Sequence, residues 1–287
     1  VGNQKTVDAT NLMWIARLQD DGDDAYELDT TFNPTGSDYG TIRGIMQFAF
    51  GGNVQNRYCN SIAIYPDGTI SIVGIEDSET TISPFMSRAF DNPYTTQENI
   101  CQFAQPIGTN DQTLGVTNNV GNGILFAAVG SSTQLQQSAQ AIALQDDQNI
   151  LVACNSQINS DSPSIIVMNM FDVDGLLSTQ FNGDDPQAPC ITGQAIVLDS
   201  YDNQYVSDIL HFTVGDVNKA ILAGYATNNA LSTSNLLVMQ YILDSDYPTL
   251  DTTFGGFNGD PLGVAMGNDS SQAFTLGRQS MGRIIVG

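Results

Sequence analysis

Apolar and polar residues alternate along most of this chain with a period of two, and the alternation is punctuated by glycine, proline, asparagine and aspartate. That period sends successive side chains to opposite faces of an extended strand, so the pattern predicts β-strands joined by tight turns. No stretch carries an apolar face at helical spacing. Residues 134–145 come nearest, and their alignment with the hairpins below argues for strand.

The strands recur as a unit. An alternating run, a polar turn and a second apolar run ending in a small residue appear four times. The copies are Ser61-Ile-Ala-Ile-Tyr-Pro-Asp-Gly-Thr-Ile-Ser-Ile-Val-Gly74, residues 139–153 around Asp146-Asp147, residues 207–224 around Gly215-Asp216, and residues 272–287 around Met281-Gly282. Each reads as a β-hairpin, because Pro-Asp-Gly and its relatives satisfy turn geometry and β-branched residues favour strand. A longer apolar strand follows three of the hairpins and also stands near the N-terminus: Leu12-Met-Trp-Ile-Ala-Arg-Leu18, Pro84-Phe-Met-Ser-Arg-Ala-Phe90, Ile165-Ile-Val-Met-Asn-Met-Phe171 and Leu236-Leu-Val-Met-Gln-Tyr-Ile242. Three units then carry Leu28-Asp-Thr-Thr-Phe32, Leu177-Ser-Thr-Gln-Phe181 or Leu250-Asp-Thr-Thr-Phe254. The second unit lacks this signature and has an apparent insertion from Tyr94 to Asn119. A fourth strand is expected near residues 41–50, 124–129, 191–198 and 262–266.

Four strands per unit is the make-up of a β-propeller blade. The hairpin ends Gly74, Ala153, Gly224 and Gly287 are separated by 79, 71 and 63 residues, and the wrap from Gly287 round to Gly74 is 74. The expectation is therefore an all-β fold: a single β-propeller domain over residues 1–287, with about four four-stranded blades. Its units cover roughly 1–75, 76–155, 156–226 and 227–287, the first and last sharing a blade. The ring closes by pairing the C-terminal hairpin with the strands from Leu12 onward, which removes open sheet edges.

The alternating apolar strand with Ala-Arg-Leu, the Leu-Asp-Thr-Thr-Phe signature and the Ile-Ala-Ile-x-Pro-Asp-Gly hairpin resemble the delta-60 family of bacterial repeats, usually regarded as propeller blades. The resemblance covers nearly the whole chain in four copies and is strongest from Met13 to Ile75 and from Leu236 to Gly287, although the units here are longer, at about 72 residues. It implies a surface or exported protein and supplies no catalytic residues.

Charge narrows the partners. The net charge of −23 repels phosphate backbones and anionic lipid, so neither nucleic-acid binding nor a basic membrane-surface patch is expected. No apolar run is long enough for a membrane-spanning helix. A chain opening at Val1 without a signal-peptide pattern reads as a processed product. Only Lys5 and Lys219 are lysines, and the surplus of Asn, Ser and Thr resembles an extracellular or cell-surface protein. Cys59, Cys101, Cys154 and Cys190 are too widely spaced for a zinc site, and either two disulfides or four buried thiols fit.

No cofactor is expected, but Asp20, Asp21, Asp23 and Asp24 crowd one loop, and hard oxygen ligands so grouped make calcium the one candidate. Asp172 and Asp174, and Asp184 and Asp185, form lesser acidic groups. In all of them turn geometry is the plainer explanation. The single histidine, His211, lies inside a strand without any G-x-S-x-G elbow, so a structural role is expected. Glu27, Glu76, Glu79 and Glu98 are the only glutamates and do not indicate a buried acid pair for glycoside hydrolysis. No Walker lysine exists. Trp14 reads as packing between blades, and Asn268-Asp-Ser270 is a glycosylation pattern. These readings converge on a non-enzymatic structural or adhesive module that binds itself, another surface protein or a glycan. The alternative is a carbohydrate-binding or hydrolytic propeller using Asp208, His211 and Tyr205 on one rim.

Overall fold

The computed structural model describes residues 2–5, 11–22, 25–30, 45–48, 56–66, 70–77, 82–90, 102–103, 124–125, 136–146, 149–157, 163–172, 178, 181, 194–197, 203–228, 233–243, 248–255, 264–269, 271–279 and 282–287. They form antiparallel β-structure throughout, in two compact units, Val1–Phe126 and Ala127–Gly287.

The first unit opens with β1 (Gly2–Lys5), β2 (Asn11–Ala16), β3 (Leu18–Asp20), β4 (Tyr26–Leu28) and β5 (Ile45–Phe48). One sheet runs β1-β2-β5, and β3 and β4 make a separate hairpin. The next sheet contains β6 (Asn56–Ile64), β7 (Ile70–Asp77), β8 (Ile82–Phe90), β9 (Gln102–Phe103) and β10 (Ile124–Leu125), in the order β10-β8-β7-β6 with β9 also on β8.

The second unit begins with β11 (Gln136–Leu144), β12 (Ile150–Gln157), β13 (Ser164–Phe171) and β14 (Gln194–Val197), paired in sequence order. A further sheet holds β15 (Asn203–Val214), β16 (Val217–Asn228), β17 (Thr233–Ile242), β18 (Thr249–Leu250) and β19 (Val264–Asp269), with β18 and β19 both on β17. Finally β20 (Leu276–Arg278) and β21 (Ile284–Val286) pair with each other.

Four of the sheets share one register at the positions that follow. Third-strand residues Ile15, Met86, Met168 and Val238 lie opposite fourth-strand residues Met46, Leu125, Ala195 and Ala265. Three residues further on, Leu18, Ala89 and Tyr241 face Leu28, Phe103 and Leu250. The second unit of the repeat therefore keeps the structural place of the signature although its sequence has changed: Phe103, inside the apparent insertion, stands where Leu28 and Leu250 stand.

Each first strand also bends at one point. The register slips between Cys59 and Ser61, between Ala139 and Ala141, and between Val206 and Asp208, leaving one extra residue in each. Such bulges increase local twist and reaim the chain. The residues opposite are Gly74, Cys154 and Gly224, so the hairpin marker of the second copy is Cys154 and not Ala153 as spacing alone implies. At Gly224 the approach is close: a Cβ there would lie 1.9 Å from the Tyr205 carbonyl oxygen.

In the second unit the sheets stack face to face. Leu151, Ala153, Ile166 and Met168 from one sheet share a core with Ile209, Ala220, Leu222 and Met239 from the next. On the opposite face, Ile221, Ala223 and Val238 are covered by Leu276, Ile284 and Val286 of the last hairpin. Because β16 is buried on both faces, its run Ala220-Ile-Leu-Ala223 loses the alternation of a half-exposed strand and becomes continuously apolar.

Candidate functional site

The Leu-Asp-Thr-Thr-Phe signature is a turn clamped to the third strand. The Asp251 N–H donates to the Gln240 carbonyl (2.8 Å), and the Phe254 N–H donates back to the Asp251 carbonyl (2.9 Å). Asp251 Oδ1 accepts from the N–H and hydroxyl of Thr253 (3.0 and 2.6 Å), which ties the turn locally. Its Oδ2 accepts from Lys219 Nζ and Gln240 Nε2, each at 2.5 Å, so strands β16 and β17 both hold it. The carboxylate side chain is 2% exposed and the lysine 17%. Burial alone raises a carboxyl, but the bonds from Lys219, Thr253 and Gln240 outweigh it and hold Asp251 well below the usual carboxylate range.

The first copy uses the same device nearer the surface. Asp29 N–H donates to the Arg17 carbonyl (2.9 Å), and Arg17 Nε donates to Asp29 Oδ2 (2.7 Å). In the third copy Ser178 replaces the aspartate; its N–H donates to the Met170 carbonyl (2.8 Å) and its carbonyl accepts from Phe181 (3.3 Å). Arg17, Met170 and Gln240 are equivalent positions in the register, so the turn survives when the charged clamp is lost. The signature is thus architectural. Lys219 and Gln240 were not singled out by sequence reasoning; the available signal was one of only two lysines lying within an apolar strand.

Of the candidate calcium ligands, Asp20 and Asp21 stand at the β3–β4 tip. Asp20 and Asp21 are exposed, Asp20 Oδ1 accepts from the Gly22 N–H (2.8 Å), and Gly22 has a φ of 86°, a conformation that favours glycine. Asp23 and Asp24 lie outside the described residues. Among the described residues no group of three or more His, Cys, Asp or Glu is placed to hold a metal. Asp174, Asp184, Asp185, Glu79 and Glu98 also lie outside the described residues. Glu27 is exposed and accepts from Gln19 Nε2 (2.7 Å).

Tyr205, Asp208 and His211 all lie on β15, but not as one constellation. Residues 208 and 211 are three apart with no bulge between them, so their side chains leave opposite faces of the strand. Asp208 Oδ2 accepts from the Leu276 N–H (2.7 Å) and the Thr275 hydroxyl (3.3 Å), fastening the last hairpin to the sheet. Tyr205 stacks on its cross-strand neighbour Tyr225, with centroids 4.7 Å apart and an interplanar angle of 22°. Burial, with the neighbouring Tyr205, raises the Tyr225 phenol.

A comparable tie joins the two large sheets of the second unit. Asn155 on β12 accepts from the Val206 N–H (2.7 Å) and donates to the Val206 carbonyl (3.3 Å), so one amide replaces both hydrogen bonds of a strand neighbour. The Cys59 and Cys154 thiols are buried, and burial pushes both up to about 12. Cys101 and Cys190 lie outside the described residues. No known protein family matches the chain, and no curated protein matches it either.

Proposed function

We propose that this chain is a β-propeller of about four blades that acts outside the cell or on its surface as a non-enzymatic structural module and assembles with copies of itself. The observation that carries this reading is the use to which its polar side chains are put. Asp251, Asp29, Asp208 and Asn155 each hold backbone or a neighbouring strand in place, so the chemistry of the repeats serves their own architecture. Face-to-face stacking of successive sheets in the second unit is the packing that neighbouring blades use. The resemblance to delta-60 repeats and the composition rich in Asn, Ser and Thr support an exported setting.

Light scattering behind size exclusion tests the proposal. Species at multiples of 30.7 kDa are expected, and a single species at that mass across the accessible concentration range refutes self-assembly. Repeating the run with a chelator tests calcium at Asp20, Asp21, Asp23 and Asp24: loss of assembly on chelation and its return with calcium place the ion in the interface.

One observation favours a glycan as an additional partner. The Tyr205–Tyr225 stack is half-buried and offers an aromatic face of the kind on which sugar rings pack. Glycan binding that is lost in Tyr225→Ala, with the fold intact by circular dichroism, supports it. A hydrolytic version has less support, since Asp208 already holds the Leu276 amide.

A further inference from the structure

The stacked tyrosines belong to a wider face of the β15–β19 sheet. Cross-strand register places Asn203 opposite Thr227 and Tyr205 opposite Tyr225; on the next strand it places Ser234 opposite Thr227 and Leu236 opposite Tyr225. Residues two apart on a strand share a face, so these six make two adjacent rows. Tyr205, Tyr225 and Leu236 form an apolar row, with Asn203, Thr227 and Ser234 as a polar row beside it. All six are half-buried.

The β15 bulge decides what lies next on that face. Residues 205 and 208 would leave opposite sides of a regular strand, but the extra residue sets Asp208 opposite Ala223, two positions from Tyr225, and so on the tyrosine side. The Asp208 carboxylate is already committed to backbone. Its Oδ1 accepts from the Ile209 N–H (2.9 Å) and its Oδ2 from the Leu276 N–H (2.7 Å). Residues 271–276 border the face here, since Ser271 Oγ accepts from the Leu236 N–H (3.1 Å) and the Ala273 N–H donates to the Gly224 carbonyl (3.1 Å). The rings thus stand on a floor with one raised border.

The hydroxyls of the face are uncommitted. Among the described residues, those of Tyr205, Tyr225 and Ser234 have no protein partner. The Thr227 hydroxyl accepts from Asn203 Nδ2 (3.2 Å) and keeps its own hydrogen to donate. Asn203 is itself fixed, because its Oδ1 accepts from the Ser164 N–H (2.9 Å). The polar row is therefore held in place from within the fold while its outward bonding capacity remains.

We propose that this face binds a neutral glycan. The apolar C–H side of a pyranose packs on the tyrosine rings, and its hydroxyls exchange hydrogen bonds with Thr227, Ser234 and the two phenols, since hydroxyls donate and accept alike. The proposal rests on the reading of the tyrosine pair as a sugar platform and specifies the sugar. An apolar partner would cover the hydroxyls without pairing them, which costs affinity. An acidic sugar would find no lysine or arginine among the six residues, and would meet Asp208 in a chain of net charge −23. A neutral polyhydroxyl surface matches both rows.

Affinity electrophoresis of the full chain tests this, in gels that contain a soluble β-glucan, a mannan, a galactan or polygalacturonate. At least one neutral polymer is expected to slow the chain, and polygalacturonate to leave its mobility unchanged. Tyr225→Ala should abolish the retardation. Tyr225→Phe keeps the ring and guards against loss of fold; it should bind within about fivefold of the parent. Thr227→Val and Ser234→Ala each remove one hydroxyl, and each should weaken binding about fivefold with the circular dichroism spectrum retained. Polygalacturonate binding as tight as that of any neutral polymer overturns the neutral class and leaves the platform standing. Unchanged affinity in both Thr227→Val and Ser234→Ala likewise overturns the role of the hydroxyl row. A folded Tyr225→Ala that still binds, or no retardation by any polymer, removes the sugar reading of the tyrosines together with the proposal.

Discussion

Replacing Asp251 by asparagine should expose how much the signature turn contributes to the second unit. The amide still accepts from Thr253 through Oδ1, but its NH2 group now faces two donors, Lys219 Nζ and Gln240 Nε2. Removing one member of a buried ion pair typically costs about 3 to 5 kcal/mol, because the other charge stays desolvated. Lys219 retains 17% side-chain exposure and can recover part of its hydration, which places the expected loss at the lower end, about 3 kcal/mol. Urea unfolding followed by far-UV circular dichroism measures it as a lower midpoint with an unchanged slope. The double variant Asp251→Asn with Lys219→Met should recover more than about 1 kcal/mol, since it removes the stranded charge. The effect must also fade in acid. The folded state holds Asp251 below its unfolded value of about 3.9, so its contribution is complete above that pH and is lost as pH falls toward the folded value. A loss under about 0.5 kcal/mol at pH 7, or a loss that persists undiminished at pH 2, refutes the clamp as a source of stability.

Gly224→Ala should destabilise by about 3 kcal/mol, because its Cβ collides with the Tyr205 carbonyl and the strands must separate; thermal melting of the variant checks this. Asn155→Ala should cost about 2 kcal/mol and speed hydrogen exchange at the Val206 amide, since the bonds to both Val206 backbone groups disappear. The Cys59 and Cys154 thiols should resist a disulfide reagent at pH 8 in the folded protein and react fully in denaturant; rapid labelling of the folded chain contradicts their burial.

Sequence patterning revealed more of the architecture than of the site. The hairpins were legible because their turns need Pro-Asp-Gly or its relatives and their strands need alternation, both properties of neighbouring residues. The repeated third and fourth strands followed from recurrence of the same pattern. The place of the bulge was not legible, since nothing in the run Leu151-Val-Ala-Cys154 distinguishes the residue that faces it. Nor was the role of Phe103, whose equivalence to Leu250 rests on the strand beside it and on no shared motif. Asp208 and His211 looked like one candidate group in the chain, yet strand geometry sends them to opposite faces.

The sequence by itself determined that this protein is built of antiparallel β-hairpins, because strand period and turn chemistry act over a few residues. Only the tertiary structure decided what the acids do. Asp251 is 32 positions from Lys219, and Asp208 is 68 from Leu276, so each carboxylate finds its partner through the register of strands brought together from distant parts of the chain. Register depends on which faces are buried at once, and where both are buried, as in β16, the alternation that would announce it disappears from the sequence.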